Sequence, residues 1–285
     1  MIAKLAIGAC FLVLLAFGAL VGVLYYYQRS MVFPVPALDE SVPEGFEAIR
    51  YQTSDALELR AGYRPALEGM PTLLFFHGNG VDWQTTFHTT LVLAARGYGV
   101  LAAEYRGYGG NAGEPSEDGL YRDGQAAFDW LIARGIAAGD IVLAGNSLGS
   151  GVATELARQT DVRALVLVAP FKSMTATASY AYPWAPVGLL LLDRFENIAK
   201  IGEVTSPVLV VHGENDALIP IAHARQLAAA NERAQFVTLA GFGHNMSGEA
   251  AAQLPQLQFL EALPEALSEA GEQPLNEQMV NAGAR

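Results

Sequence analysis

The chain alternates between short apolar runs and longer stretches with helical periodicity. Thr72–Phe76, Val100–Glu104, Ile141–Ala144, Ala164–Val168 and Val208–Val211 carry almost no polar residue. Strands apolar on both faces belong inside a parallel sheet. Between them, helical patterns cover Thr85–Ala95 (stopping at Gly97), Asp118–Ala133, Ser150–Gln159, Ala222–Ala230 and Ala250–Leu263. Phe236–Leu239 reads as a last strand. Ala48–Thr53 and Leu57–Tyr63 flank a turn at Ser54-Asp55 and read as an antiparallel pair. The pattern predicts an α/β fold with a mostly parallel eight-stranded sheet and helices on both faces. Sites in such sheets form at the carboxyl ends of the strands.

The pattern departs from this rhythm in three places. From Leu5 to Tyr27 no residue is charged. Twenty-three helical residues at 1.5 Å each reach roughly 35 Å, enough to cross a hydrocarbon core. Tyr25-Tyr26-Tyr27 followed by Gln28-Arg29 has the form of an interfacial aromatic belt with a charged stop. A cleaved signal sequence would be shorter, and a lipid-modified Cys10 would sit too early in the apolar run. An uncleaved transmembrane anchor over 1–29 is therefore expected, then a Pro-rich linker over 30–44. Lys4 and the α-amino group before the span favour a cytoplasmic N-terminus, which puts the domain outside, on the periplasmic or luminal side. The second departure is Phe171–Ser206, long for a connection and rich in aromatic and apolar residues. It reads as a short lid over a site, or as a helix packed on the core. The third is the stretch after Leu263, acidic and then polar, expected to be a loose tail over 266–285. The main domain then spans 45–265.

Composition narrows the function. The 285 residues are 52% hydrophobic and 16% charged, which suits one large domain. A net charge of −12 argues against nucleic acid as a partner. The one cysteine, Cys10, lies in the apolar span, so the domain holds no disulfide, thiolate metal cluster or cysteine nucleophile.

The chemistry starts at Gly145-Asn146-Ser147-Leu148-Gly149, between a strand and a helix. Gly-x-Ser-x-Gly in that setting is the sequence form of a nucleophile elbow, a strained turn that presents the serine. Chance or a plain glycine turn would give the same letters without the chemistry. A serine needs a base. Of the five histidines, His77 and His212 precede glycines at strand ends and read as turn-shaping. His88 and His223 lie within helical patterns. His244, in Gly241-Phe242-Gly243-His244-Asn245 after the last strand, is the candidate base. The orienting acid is Asp216, after Val208–Val211, with Glu214 and Asp193 as rivals and a turn-capping role as the bland alternative. Oxyanion donors are expected from the N–H of Leu148 and from the N–H of Asn79 in His77-Gly78-Asn79-Gly80. Gly107-Tyr108-Gly109-Gly110 resembles a dinucleotide fingerprint. However, Glu114-Pro115 precedes any helix, so an irregular loop is expected there.

These motifs resemble the α/β-hydrolase superfamily over about residues 45 to 262, and most closely the membrane-anchored Bem46-like and ABHD13- or ABHD17-like serine hydrolases. The resemblance rests on Phe76-His77-Gly78-Asn79-Gly80, Tyr105-Arg106-Gly107-Tyr108-Gly109, the elbow, Pro170-Phe171-Lys172-Ser173-Met174, the Asp216 and His244 loops, and Gln28–Pro34. Asn111 stands where many of these relatives have serine. The resemblance implies a Ser147–Asp216–His244 triad, agreeing with the reading from the residues. The expected activity is hydrolysis of an acyl ester or thioester, lipid-like substrates included, with no metal or cofactor. A peptidase of the same fold and a non-catalytic binding module are the alternatives.

Overall fold

The computed structural model describes residues 2–264, so the tail expected at 266–285 lies outside the described residues. An eight-stranded sheet runs in the order β1-β2-β4-β3-β5-β6-β7-β8. The strands are β1 Glu47–Gln52, β2 Glu58–Arg64, β3 Thr72–Phe76, β4 Gly99–Ala103, β5 Ile141–Asn146, β6 Ala164–Val168, β7 Val208–Gly213 and β8 Ala234–Leu239. β1 and β2 pair antiparallel, as do β2 and β4; every other pairing is parallel. Predicted strand limits fall within about two residues of these, the uncertainty normal at element ends.

The central strands are apolar throughout because both faces are covered. Leu74, Phe76, Leu143, Leu165 and Val210 enter one core; Leu73, Phe75, Val142, Val166 and Leu209 enter the other. The helices, in chain order, are α1 Ile2–Val32, α2 Thr86–Thr89, α3 Leu91–Ala95, α4 Glu117–Ala133, α5 Gly149–Gln159, α6 Met174–Ala181, α7 Val187–Leu190, α8 Asn197–Lys200, α9 Ala222–Ala229 and α10 Ala250–Glu261. α4, α5 and α9 pack on the first face; α3 and α10 cover the second. The chain reverses direction across the sheet between β3 and β5, a switch point that leaves a crevice at their carboxyl ends.

Three elements differ from expectation. The helix expected over Thr85–Ala95 is a 3₁₀ turn at Trp83–Thr85 followed by α2 and α3, broken at Thr90. The Thr89 and Thr90 hydroxyls both bond back to the Thr86 carbonyl, competing with the helical ladder. α1 continues to Val32, three residues past the expected anchor end, and stops just before Phe33-Pro34, where the proline disfavours helix at the residue before it. Phe171–Ser206 divides between the two readings. Phe171 and Phe195 are buried in the core, whereas Tyr180, Trp184 and Leu189 on its outer part are exposed.

Candidate active site

The loop after β5 sets the site. Ser147 has φ +49°, a left-handed conformation uncommon for a side-chain-bearing residue. Its N–H bonds the Val168 carbonyl at 2.9 Å, and its own carbonyl accepts the Ser150 hydroxyl at 2.6 Å. The flanking glycines have no alternative. A Cβ on Gly145 would run into the backbone of Gly149 and Ser150, and one on Gly149 into the Phe76 carbonyl. The strain is held by surrounding backbone, which is how such conformations persist at functional sites.

Ser147, His244 and Asp216 meet. Ser147 Oγ lies 2.9 Å from His244 Nε2, and His244 Nδ1 lies 2.7 Å from Asp216 Oδ2. A carboxylate only accepts, so Nδ1 carries the proton and Nε2 is free to accept from the serine hydroxyl. Asp216 Oδ1 accepts the N–H groups of Leu218 and Ile219, so its turn-capping and histidine-orienting contacts come from opposite oxygens. Burial by itself would raise the Asp216 carboxyl. Hydrogen bonds from His212, His244 and the Ile219 N–H outweigh it and hold the group well below the usual carboxylate range. The rivals lie elsewhere: Glu214 is exposed, and Asp193 accepts from Arg29 and the Glu117 N–H.

Asn79 and Leu148 line the same cleft as Ser147. Among the described residues neither backbone N–H is engaged in a hydrogen bond. Gly78 brings the loop after β3 against the elbow; a Cβ there would stand 3.5 Å from the Ser147 Cβ. The cleft is about 280 Å³, near the lower end of ligand pockets at roughly 300–1,000 Å³. Its lining includes Phe171, Met174 and Leu218 and holds no charged residue among those described. No cluster of metal-ligating side chains occurs among the described residues.

Two contributors were not apparent from sequence. His77, read as turn-shaping, is fully buried, with Nε2 2.6 Å from Glu104 Oε1 and Nδ1 2.7 Å from the Gly78 carbonyl. Glu104 also accepts the N–H groups of Trp83 and Tyr105, so one carboxylate ties β4 to the loop carrying Asn79. His212 donates to the Ile219 carbonyl at 2.9 Å and stands 3.3 Å from Asp216 Oδ2. The available signal was position: both histidines end a parallel strand on the sheet edge that carries the site. The glycine loop after β4 is irregular, as expected, and α4 begins only at Glu117 behind the Ser116 cap. Asn111 also has a role. Its side-chain amide accepts the Arg60 N–H at 2.8 Å and donates to the Arg60 carbonyl at 3.1 Å, standing in for a strand partner beside β2.

The chain is similar to several known proteins. Residues 70–198 match a family described as serine aminopeptidase, S33, and residues 193–263 match one described as TAP-like protein. An uncharacterized protein of Mycobacterium tuberculosis strain H37Rv is 37% identical over 227 residues, covering 76% of this chain and 80% of that protein. The human alpha/beta hydrolase domain-containing protein 17B is 34% identical over 179 residues, 61% of this chain and 60% of its own length. Among solved structures, an esterase of Pyrococcus furiosus superposes with TM-score 0.66 at 16% identity, over 81% of this chain and 96% of its own. A bacterial membrane phospholipase A gives 0.61 at 18% identity, over 91% of this chain and 99% of its own. At those identities the structural likeness speaks for the fold alone.

Proposed function

The chain belongs to the α/β-hydrolase superfamily, and on that premise we propose that it is a serine hydrolase cleaving a carboxylic ester or thioester through a covalent acyl-enzyme. The observation that carries this is the relay from Ser147 Oγ through His244 to Asp216, at 2.9 and 2.7 Å, opening on an apolar cleft. Ser147 Oγ attacks the carbonyl carbon as His244 Nε2 takes its proton. The developing oxyanion is met by the N–H groups of Leu148 and Asn79. His244 returns the proton to the leaving group, whose bond to the acyl carbon breaks. Water, activated by the same nitrogen, then releases the acid and restores Ser147. Asp216 fixes the imidazole tautomer and stabilises the imidazolium without taking its proton. These steps call on no metal or organic cofactor.

The serine aminopeptidase description of the matched family favours a second reading, peptide-bond cleavage. An aminopeptidase must also hold the substrate's N-terminal ammonium, for which a buried carboxylate is the natural partner. The cleft lining offers none among the described residues, so the ester or thioester reading ranks first. α1 is long and apolar enough to cross a membrane.

The test is hydrolysis of p-nitrophenyl esters and aminoacyl anilides by the full chain, with fluorophosphonate labelling. Ser147→Ala is expected to abolish labelling and to lower ester turnover by roughly 10⁴-fold or more. Full activity in Ser147→Ala would end the proposal; preference for anilides would promote the peptidase; no labelling of the unaltered chain would favour a non-catalytic module.

A further inference from the structure

α1 does more than precede the domain. Val21, Leu24, Gln28 and Val32 line the cleft that holds Ser147, and their spacing puts them on one face of the helix. Across from them the cleft is walled by the lid, with Ala181, Tyr182 and Ala185.

One set of contacts ties α1 to the loop of Asn79, and two more tie it to the lid. Nearest the nucleophile, the Asn79 side chain donates to the Val32 carbonyl at 3.3 Å, and the Gly80 N–H donates to the Pro34 carbonyl at 3.0 Å. One turn back, Gln28 donates to the Leu190 carbonyl at 3.3 Å and accepts the Leu192 N–H at 2.8 Å, beside an Arg29–Asp193 ion pair at 3.0 Å. Farther along, the Phe17 ring meets Trp184 edge-on at 6.2 Å. From Arg29 to Phe17 at 1.5 Å per residue is roughly 18 Å. The lid therefore leans along α1 for that distance, from the charged stop at Arg29 to the middle of the apolar span.

Depth follows from the aromatic belt. With Tyr25-Tyr26-Tyr27 at headgroup level, Val21 and Leu24 lie on the hydrocarbon side and Ser147 beyond the interface. The cleft then bridges the two. The exposed apolar side chains of the lid continue the greasy surface: Trp184 is 47% and Leu189 84% accessible. Pulling an acyl chain from a bilayer into water costs about 0.8 kcal/mol per methylene. A cleft whose walls stay apolar from bilayer depth to nucleophile removes that cost for a lipid tail.

Resting on the Ser147 hydrolase reading, we infer that α1 is a wall of the acyl-binding site. The substrate is a long-chain acyl lipid of the same bilayer, its tail entering between α1 and the lid without crossing water.

The experiment uses the full chain in phosphatidylcholine vesicles, with p-nitrophenyl butyrate and p-nitrophenyl palmitate as probes. Leu24→Trp fills the α1 wall. It is expected to lower the palmitate-to-butyrate ratio of kcat/KM by roughly tenfold or more, the equivalent of about two lost methylene contacts. Val23→Trp, on the next residue but outside the cleft, is expected to leave that ratio at the value of the unaltered chain. Should Leu24→Trp fail to insert, Ala181→Trp on the lid wall carries the same expectation. Labelling by a fluorophosphonate separates the two levels. If the unaltered chain does not label, the hydrolase reading fails and takes this inference with it. If all variants label and the ratio does not move, the inference fails alone. An equal fall in Val23→Trp also overturns it.

Discussion

Two histidine–carboxylate pairs sit on the same edge of the sheet, and they differ in what the second ring nitrogen meets. His77 faces the Glu104 carboxylate through Nε2 and the Gly78 carbonyl through Nδ1. Both partners are acceptors, so the ring satisfies them only as the imidazolium. Burial pulls the His77 pKa down, but Glu104 more than offsets it and the net direction is up. His244 faces one acceptor, Asp216, and one hydroxyl, Ser147. It satisfies both as the neutral tautomer with Nε2 open. The same two residue types thus make a buried pair that braces a loop and, on the proposed reading, a base within reach of a nucleophile. The partner of the second nitrogen decides the role.

The sharpest way to break the contrast is to replace each acid by its amide. Asp216→Asn puts a donor against His244 Nδ1–H and favours the wrong tautomer. We expect kcat on a p-nitrophenyl ester to fall roughly 10³–10⁴-fold, with a small change in melting temperature because the amide oxygen still accepts from Leu218 and Ile219. Glu104→Gln should do the reverse. It leaves either the Tyr105 N–H or the Trp83 N–H without an acceptor inside the core and removes the charge facing His77, which costs about 3 kcal/mol of stability. The effect on kcat should be about tenfold or less at 25 °C, since the amide perturbs only the placement of Asn79. Paired melting curves and kcat measurements decide. Equal rate losses in the two variants would dissolve the distinction.

The smallest effect concerns a third buried histidine. His223 has no carboxylate on its ring; burial, with Lys172 and His212 nearby, lowers its pKa to about 4. The unfolded chain then binds more protons between about pH 6.5 and 4, so this contribution to stability is complete above the upper limit and lost as pH falls through the window. His77, shifted upward, contributes in the opposite sense, with stability present below about pH 6.5 and lost as pH rises; both chains carry it, so it cancels in the comparison. His223→Gln should therefore retain about 2 kcal/mol more of its neutral-pH stability at pH 5 than the unaltered chain does. Urea unfolding at pH 7 and pH 5 measures this, and parallel losses would contradict it.

What was legible in the sequence follows from how locally each feature is written. Buried strands appear as apolar runs because both faces meet helices, so sheet and helix order were readable. Ser147, Asp216 and His244 each end or follow a strand of a parallel sheet, and that arrangement brings their loops to one edge. The His77–Glu104 pair was not readable. Its partners directly follow different strands, 27 residues apart, and Glu104 sits at the end of an apolar run with nothing local to mark it as buried. The break at Thr90 was hidden because threonine hydroxyls compete with helix bonds only in certain rotamers. The docking of the lid on α1 depends on single hydrogen bonds between residues 162 and 164 positions apart, for which no spacing rule exists.

The grip of Gln28 and Arg29 on the lid bears on how this protein should be handled at the bench. Trimming the chain at residue 33 to obtain a detergent-free sample would strip the Leu192 N–H, the Leu190 carbonyl and the Asp193 carboxylate of their partners in a single cut. It would also remove the carbonyl that receives the Asn79 side chain. If α1 walls the site as inferred, such a fragment would lack one side of it, and selectivities measured on it would describe the cut.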